Sequence, residues 1–303
     1  MFVELREVIP DFVLPDFTGR SPTQPECSAC DTANRSTTIV LRYQAVEQVI
    51  LAMRRRLNEP MSLRDLARIA MLSPYHFNRV FRLVTGVTPC RFLNVLRMEA
   101  AKLLLITTQS TVSDVCFGVG FNSLGSFTRD FRKLVGLPPS SFRRLTLDSP
   151  MSCLGPLRDL DVDLCPATPT GNVLTGQIYA PDDFVGVVFI GLFTAPIPQG
   201  RPVACTLLPA PGAYHIAHVP DGEYYLFAAA FPKSEDPLAY LLPDQTGVYV
   251  GVGRDRLHFV DGDVVNDDTD VKLRPLRLTD PPILVALPVL MAEHQSVREM
   301  VTA

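Results

Sequence analysis

Apolar residues recur along this chain with two different periods, and the change from one to the other falls near residue 149. From Tyr43 to Leu145 they return every three to four positions, the mark of amphipathic helices. Leu63, Leu66, Ala67 and Ala70 make one such face, and Val112, Val115, Cys116 and Val119 another. Beyond Ser149 the apolar runs are short, alternating and rich in β-branched and aromatic residues, with Gly, Pro and Asp clusters between them. That pattern predicts strands at 173–179, 185–193, 202–208, 213–218, 224–231, 247–252, 257–260 and 271–278. Residues 1–42, with Pro10, Pro15, Pro22 and Pro25 and no sustained period, read as an irregular arm. Residues 148–170, with Pro150, Pro156, Pro166 and Pro169, read as a linker. The apolar run from Ile283 to Met291 is assigned to internal packing.

The helical block contains itself twice. Ser62-Leu-Arg-Asp65 has the spacing of an N-terminal capping box, and Thr111-Val-Ser-Asp114 repeats it 49 residues later. Past the turn the offset becomes 50, and it carries seven identities: Phe77 and Phe127, Arg79 and Arg129, Phe81 and Phe131, Arg82 and Arg132, Gly86 and Gly136, Pro89 and Pro139, Phe92 and Phe142. Each copy reads as helix, short turn, helix, with Ser73 or Ser123 capping the second helix and Gly86 or Gly136 ending it. Thr88 and Pro89 open a longer helix that runs to about Ile106 between the copies. In the second helix of copy one, Phe77, Val80, Phe81 and Val84 face the core, leaving Tyr75, Asn78, Arg79 and Arg82 on the opposite face. Copy two presents Gly125, Thr128, Arg129 and Arg132 there, flanked by Ser126. Arginine and asparagine can make bidentate contacts to guanine and adenine edges in the major groove. The expected fold class is multidomain α and β: an all-α double helix-turn-helix at 43–147, then an antiparallel β-sandwich at 171–303 that serves as a regulatory or interaction domain.

Length and composition bound the rest. The 303 residues accommodate two domains, and 47% hydrophobic with 20% charged residues excludes a chain disordered throughout. No apolar run approaches the roughly 20 residues of a membrane span, so no membrane partner is expected. Glu4, Glu7 and Asp11 stand where a secretory leader would be basic, and the seven cysteines lack paired spacing; both predict a cytoplasmic protein. The formal net charge of -4 conceals a division. Residues 43–147 carry 15 Lys and Arg against 6 Asp and Glu, whereas 148–303 carry 9 against 20. A basic block inside an acidic chain is the electrostatic footprint of a polyanion-binding domain.

The strings SLRDLARIAMLSPYHFNRVFRLVTGVTPCRFL, LRMEAAKLLL and TVSDVCFGVGFNSLGSFTRDFRKLVGLPPSSFR resemble the DNA-binding domain of AraC/XylS transcription regulators. Gly120-Phe121, Phe127 to Arg132, Gly136 to Pro139 and Phe142-Arg143 carry the likeness most strongly. The resemblance implies a transcription regulator whose partners are double-stranded DNA and RNA polymerase. It places base reading on Tyr75, Asn78 and Arg79 in the first recognition helix and on Ser126, Thr128 and Arg129 in the second. It places phosphate contacts on His76, Arg82, Arg132 and Lys133. Two departures stand out. Gly125 takes a place where the family commonly has a polar residue, which shifts the expected specificity to the first helix; and the helical block comes first, whereas most members carry it after a cupin-like sensor.

In the C-terminal half, AYHIAHVPDGEYYLFAAAF resembles the carboxypeptidase-regulatory or transthyretin-like sandwich, whose members share no common activity; the partner expected there is a small-molecule effector or a second copy of the chain in a homodimer. No catalytic constellation is legible, and the protein is expected to be neither an enzyme nor dependent on a cofactor. His215, His218 and His258 read as structural residues on strands, and Asp261, Asp263, Asp267, Asp268 and Asp270 lack the order of a calcium loop. No metal site is predicted. Cys27-Ser-Ala-Cys30 reads as an incidental pair in the arm. Beside the regulator stand two other readings: a redox or metal sensor working through Cys27 and Cys30, and a β-sandwich interaction module with weak DNA binding.

Overall fold

The computed structural model describes residues 28–148, 173–234, 237–241, 247–260, 263–264 and 268–285, with side chains placed from residue 38 to 144 in the first of these. Residues 1–41 and 42–303 form two separate units. The first helix among the described residues, α1 (Ser28–Arg55), begins well inside the segment expected to be an irregular arm. The correction has a plain cause: no Gly or Pro lies between Pro25 and Pro60, so nothing interrupts backbone hydrogen bonding once the prolines end. Within the second unit, Val46, Val49, Ile50 and Met53 recur at helical spacing along α1 and are buried.

Six further α-helices follow among the described residues: α2 (Leu63–Ile69), α3 (Pro74–Thr85), α4 (Pro89–Thr107), α5 (Val112–Gly118), α6 (Leu124–Val135) and α7 (Pro139–Asp148). They build two aromatic cores on one plan. Phe77, Phe81 and Phe92 meet edge to face with ring centroids 5.5 Å apart at both steps, joined by Leu66 and the α1 stripe. Fifty residues on, Phe127, Phe131 and Phe142 meet at 5.7 Å, joined by Val115, Cys116 and Val119. Five of the seven repeated identities are thereby explained by packing and chain geometry. Three are these phenylalanines, Gly86 and Gly136 end their helices at φ +77° and +98°, and Pro89 and Pro139 occupy the first helical position of α4 and α7. The other two, Arg79 with Arg129 and Arg82 with Arg132, remain on the surface.

The described residues of the C-terminal region form ten strands: β1 (Leu174–Tyr179), β2 (Gly186–Phe193), β3 (Ala204–Leu208), β4 (Ala213–Ile216), β5 (Gly222–Pro232), β6 (Tyr249–Val252), β7 (Leu257–Val260), β8 (Asp263–Val264), β9 (Val271–Lys272) and β10 (Arg274–Pro275). One sheet runs β4-β1-β9 and the other β10-β6-β5-β2-β3, with β7 and β8 continuing from β5. The run expected as one strand at 271–278 is split, because the chain pairs with β1 through Val271 and with β6 through Arg274, crossing between sheets at buried Leu273. Among the described strands the pairing is antiparallel except between β1 and β9, which run parallel, a departure from the purely antiparallel expectation. Side chains fix that edge: the Gln177 N–H donates to Asp270 Oδ1 (2.8 Å) and the Thr269 hydroxyl to the Thr175 carbonyl (2.6 Å).

Strand β2 is buried on both faces. Val188, Ile190 and Leu192 share a core with Leu174, Ile178 and Tyr214 of the smaller sheet. On the other face, Val187 and Phe189 pack with Phe231 and Tyr240, while Phe193 joins the second helical core together with Leu241, Leu284 and Val285. Leu284 and Val285 come from the run assigned to internal packing, whose remainder from residue 286 lies outside the described residues. The linker from 149 to 170 does so too.

Candidate nucleic-acid interface

Local hydrogen bonding sets each helix pair. The Asp65 N–H donates to Ser62 Oγ (3.2 Å) and the Ser62 N–H to Asp65 Oδ2 (3.1 Å); Thr111 and Asp114 repeat both bonds at 3.1 Å. Hydrogen bonds from the Ser62 and Thr111 hydroxyls, then from their backbones, hold the Asp65 and Asp114 carboxyls below the usual carboxylate range. Ser73 and Ser123 then cap α3 and α6, accepting from the His76 and Ser126 N–H groups at 3.4 Å. The change of offset from 49 to 50 falls in the turn. Met71 and Gly120 are equivalent positions with positive φ, and Asn122 is the extra residue before Ser123. Gly120 is required where Met71 is tolerated: a Cβ at Gly120 would lie 2.7 Å from the Leu57 carbonyl oxygen, while Met71 is 91% exposed. Arg97, reaching from α4, donates to the carbonyls of Leu57 and Glu59 at 2.9 Å each, fixing the backbone that the Gly120 turn approaches.

The faces left outward carry the residues singled out from sequence. On α3, Tyr75, Arg79 and Arg82 are exposed and Asn78 is half-buried. His76 is half-buried, and its Nε2 is enclosed without a hydrogen-bond partner, so that atom is not offered to a surface ligand. On α6, Arg129, Arg132 and Lys133 are exposed, and Ser126 and Thr128 half-buried. Arg129 Nε sits 3.7 Å from Asp130 Oδ1, and Asn94 of α4 donates to Asp130 Oδ2 at 3.3 Å. The second helix's arginine is therefore steered by a carboxylate tied to α4, whereas Arg79 has no ion pair among the described residues.

An open groove of about 1010 Å³ runs along α6, lined by Gly125, Thr128, Arg129, Arg132 and Lys133 and, from the loop between β2 and β3, by Gly200 and Arg201. The last two were not among the residues singled out from sequence. Nothing local marks them, since their position comes from tertiary packing across more than sixty residues.

Other candidates have structural employment. Asp268 pairs with Arg254 at 3.0 Å, Asp270 holds the β1 edge, and His258 Nδ1 lies 3.5 Å from Glu223 Oε1. Among the described residues no three His, Cys, Asp or Glu side chains converge as a metal site would require. Cys27, Cys153, Cys165, Asp261 and Asp267 lie outside the described residues. Burial pushes the Cys205 thiol up to about 11. No helix among the described residues is long and apolar enough to cross a membrane.

Two capped helix pairs joined by a 19-residue helix define a protein of the helix-turn-helix class. Residues 66–145 match a family model described as a helix-turn-helix domain. The bifunctional transcriptional activator/DNA repair enzyme AdaA of Bacillus subtilis is 34% identical over 88 residues, 29% of this chain and 42% of that protein. The transposon Tn10 TetD protein of Escherichia coli is 30% identical over 118 residues, 37% of this chain and 86% of that protein. The chain belongs to the AraC-type helix-turn-helix family. Among solved structures, the DNA-binding domain of AdpA in complex with a target DNA matches 35% of this chain and 96% of that one, at 29% identity and a TM-score of 0.34. The match spans less than half the length of AdaA and 34% of the regulator YbfP of Bacillus subtilis, and it lies in the helical part.

Proposed function

We propose that the protein is a sequence-specific DNA-binding transcription regulator, not an enzyme, that reads duplex DNA with α3 and α6. The carrying observation is the duplicated basic face: both copies expose arginines at equivalent positions, Arg79 with Arg129 and Arg82 with Arg132, on helices whose opposite faces are buried. Tyr75, Asn78 and Arg79 read base edges, and Arg82, Arg132 and Lys133 set register through phosphates. Ser126, Thr128 and Arg129 read less, because Gly125 offers no side chain and Arg129 is shared with Asp130. The AdaA name, a transcriptional activator, and the AdpA structure's target DNA agree with this reading.

Regulation enters through the β region, by a small-molecule effector, a second copy of the chain or contact with RNA polymerase. A cavity of about 90 Å³ lined by Phe189, Phe227, Val250 and Ile283 has room for an effector of only a few non-hydrogen atoms, and Phe193 on its wall belongs to the second helical core.

The deciding experiment is selection of bound duplexes from a random pool by the full-length protein at moderate salt. Enrichment of one motif, with preference at a single base position relaxed by Arg79→Ala, supports the reading. Binding without any preferred sequence refutes it.

A further inference from the structure

The loop between β2 and β3 belongs to the acidic half of the chain, yet it is fastened to both helical cores. Phe193, which ends β2, is buried in the second helical core, and Ile197 is 5% exposed within the first. Gln199 accepts a hydrogen bond from Arg91 of α4 at 2.5 Å. The Gly200 N–H donates to the Leu134 carbonyl in the last turn of α6 at 2.9 Å. That carbonyl is among the last of α6, which Gly136 ends in the left-handed conformation, so it has no partner within the helix. Gly200 also answers a steric demand: its φ is +68°, and a Cβ there would lie 2.7 Å from the Lys133 carbonyl oxygen.

The next residue, Arg201, is exposed and stands on the groove wall with Arg129, Arg132 and Lys133 on the other side. Among the described residues that line the groove, four are cationic: Arg129, Arg132, Lys133 and Arg201. The helix forming one wall is 12 residues, about 18 Å, long. Duplex DNA carries about one negative charge per 1.7 Å of axis, so a backbone running along such a wall presents several phosphates to it.

We propose that the 194–203 loop is part of the DNA-binding surface and that Arg201 contacts a backbone phosphate beside the second recognition helix. The proposal rests on the DNA-binding reading above. It gives the β region a direct part in binding, through a loop fastened beforehand to both helical cores, so that little ordering entropy is lost on contact.

The test uses full-length protein, a duplex selected by the wild type, and a scrambled duplex of equal length. Arg201→Ala should weaken binding to both by roughly threefold to tenfold and reduce the slope of log affinity against log salt by about one, with Arg201→Lys retaining the slope. Arg201→Glu should weaken both further. If the wild type binds and Arg201→Ala changes neither affinity nor slope, the proposal falls while the DNA-binding reading stands. Tighter binding by Arg201→Ala or Arg201→Glu also overturns it, since the loop would then obstruct DNA. A wild type that binds neither duplex at any salt overturns both readings.

Discussion

Lys102 is 2% exposed in the middle of the helical part, with Nζ 5.9 Å from the centre of the Phe142 ring. Burial pushes its pKa down to about 8 from the ordinary 10.5, with Glu99 opposing the shift. The unfolded chain therefore binds more protons between pH 8 and 10.5, and the contribution of this group to stability rises with pH through that window. Below pH 8 both states are protonated and the burial penalty, about 3 kcal/mol, is fully present. Lys102→Met should raise the urea midpoint at pH 7, and its advantage over the wild type should vanish by pH 10.5; an advantage independent of pH would contradict the account. At the same scale, Arg79→Ala should cost on the order of 1 to 3 kcal/mol on the selected duplex and far less on a scrambled one, measured by equilibrium titration. Arg79 was legible from sequence because helical periodicity alone turns it outward. Lys102 was counted there only as one more positive charge, since whether a lysine on a mostly apolar helix finds solvent depends on what closes over it, here Phe142 from forty residues on.

Among the elements, the capping boxes were legible because their determinants are local: Ser62 with Asp65, and Thr111 with Asp114, lie within four residues. Thr111→Ala should lower stability by about 1 kcal/mol in chemical denaturation. The depressed Asp114 carboxyl makes part of that cap acid-sensitive: its contribution is present above the usual carboxylate range and is lost as pH falls through the folded-state value. Gly120 shows the opposite kind of determinant. Its positive φ suits a turn, but the close approach to Leu57 and Arg97 could not be read from the string Gly-Val-Gly-Phe. Gly120→Ala should destabilise the fold more than Gly86→Ala, which meets no neighbouring atom within 4 Å although its φ is also positive. Equal thermal shifts for the two would remove the packing argument. The start of α1 was missed for a related reason: its first residues carry no apolar stripe, and continuity came from the absence of breakers.

For the whole molecule, the two apolar periods along the chain made the order of helical and β parts and nearly every strand legible, but not that the parts share cores. Ile197 and Leu278 pack into the first helical core; Phe193, Phe227, Leu284 and Val285 pack into the second. A fragment of residues 43–147 should therefore melt at lower temperature than the full chain and bind the selected duplex more weakly; equal melting and affinity would show that the shared packing contributes nothing. Such joints leave no periodic trace, since one buried Ile in a loop looks like any other. They also set an order in time. The second helical core is complete only when Leu284 and Val285 have joined it, 136 residues or more after Asp148, which on the ribosome is a delay on the order of ten seconds. The second helix pair, translated before the β region, thus reaches its finished state only after it.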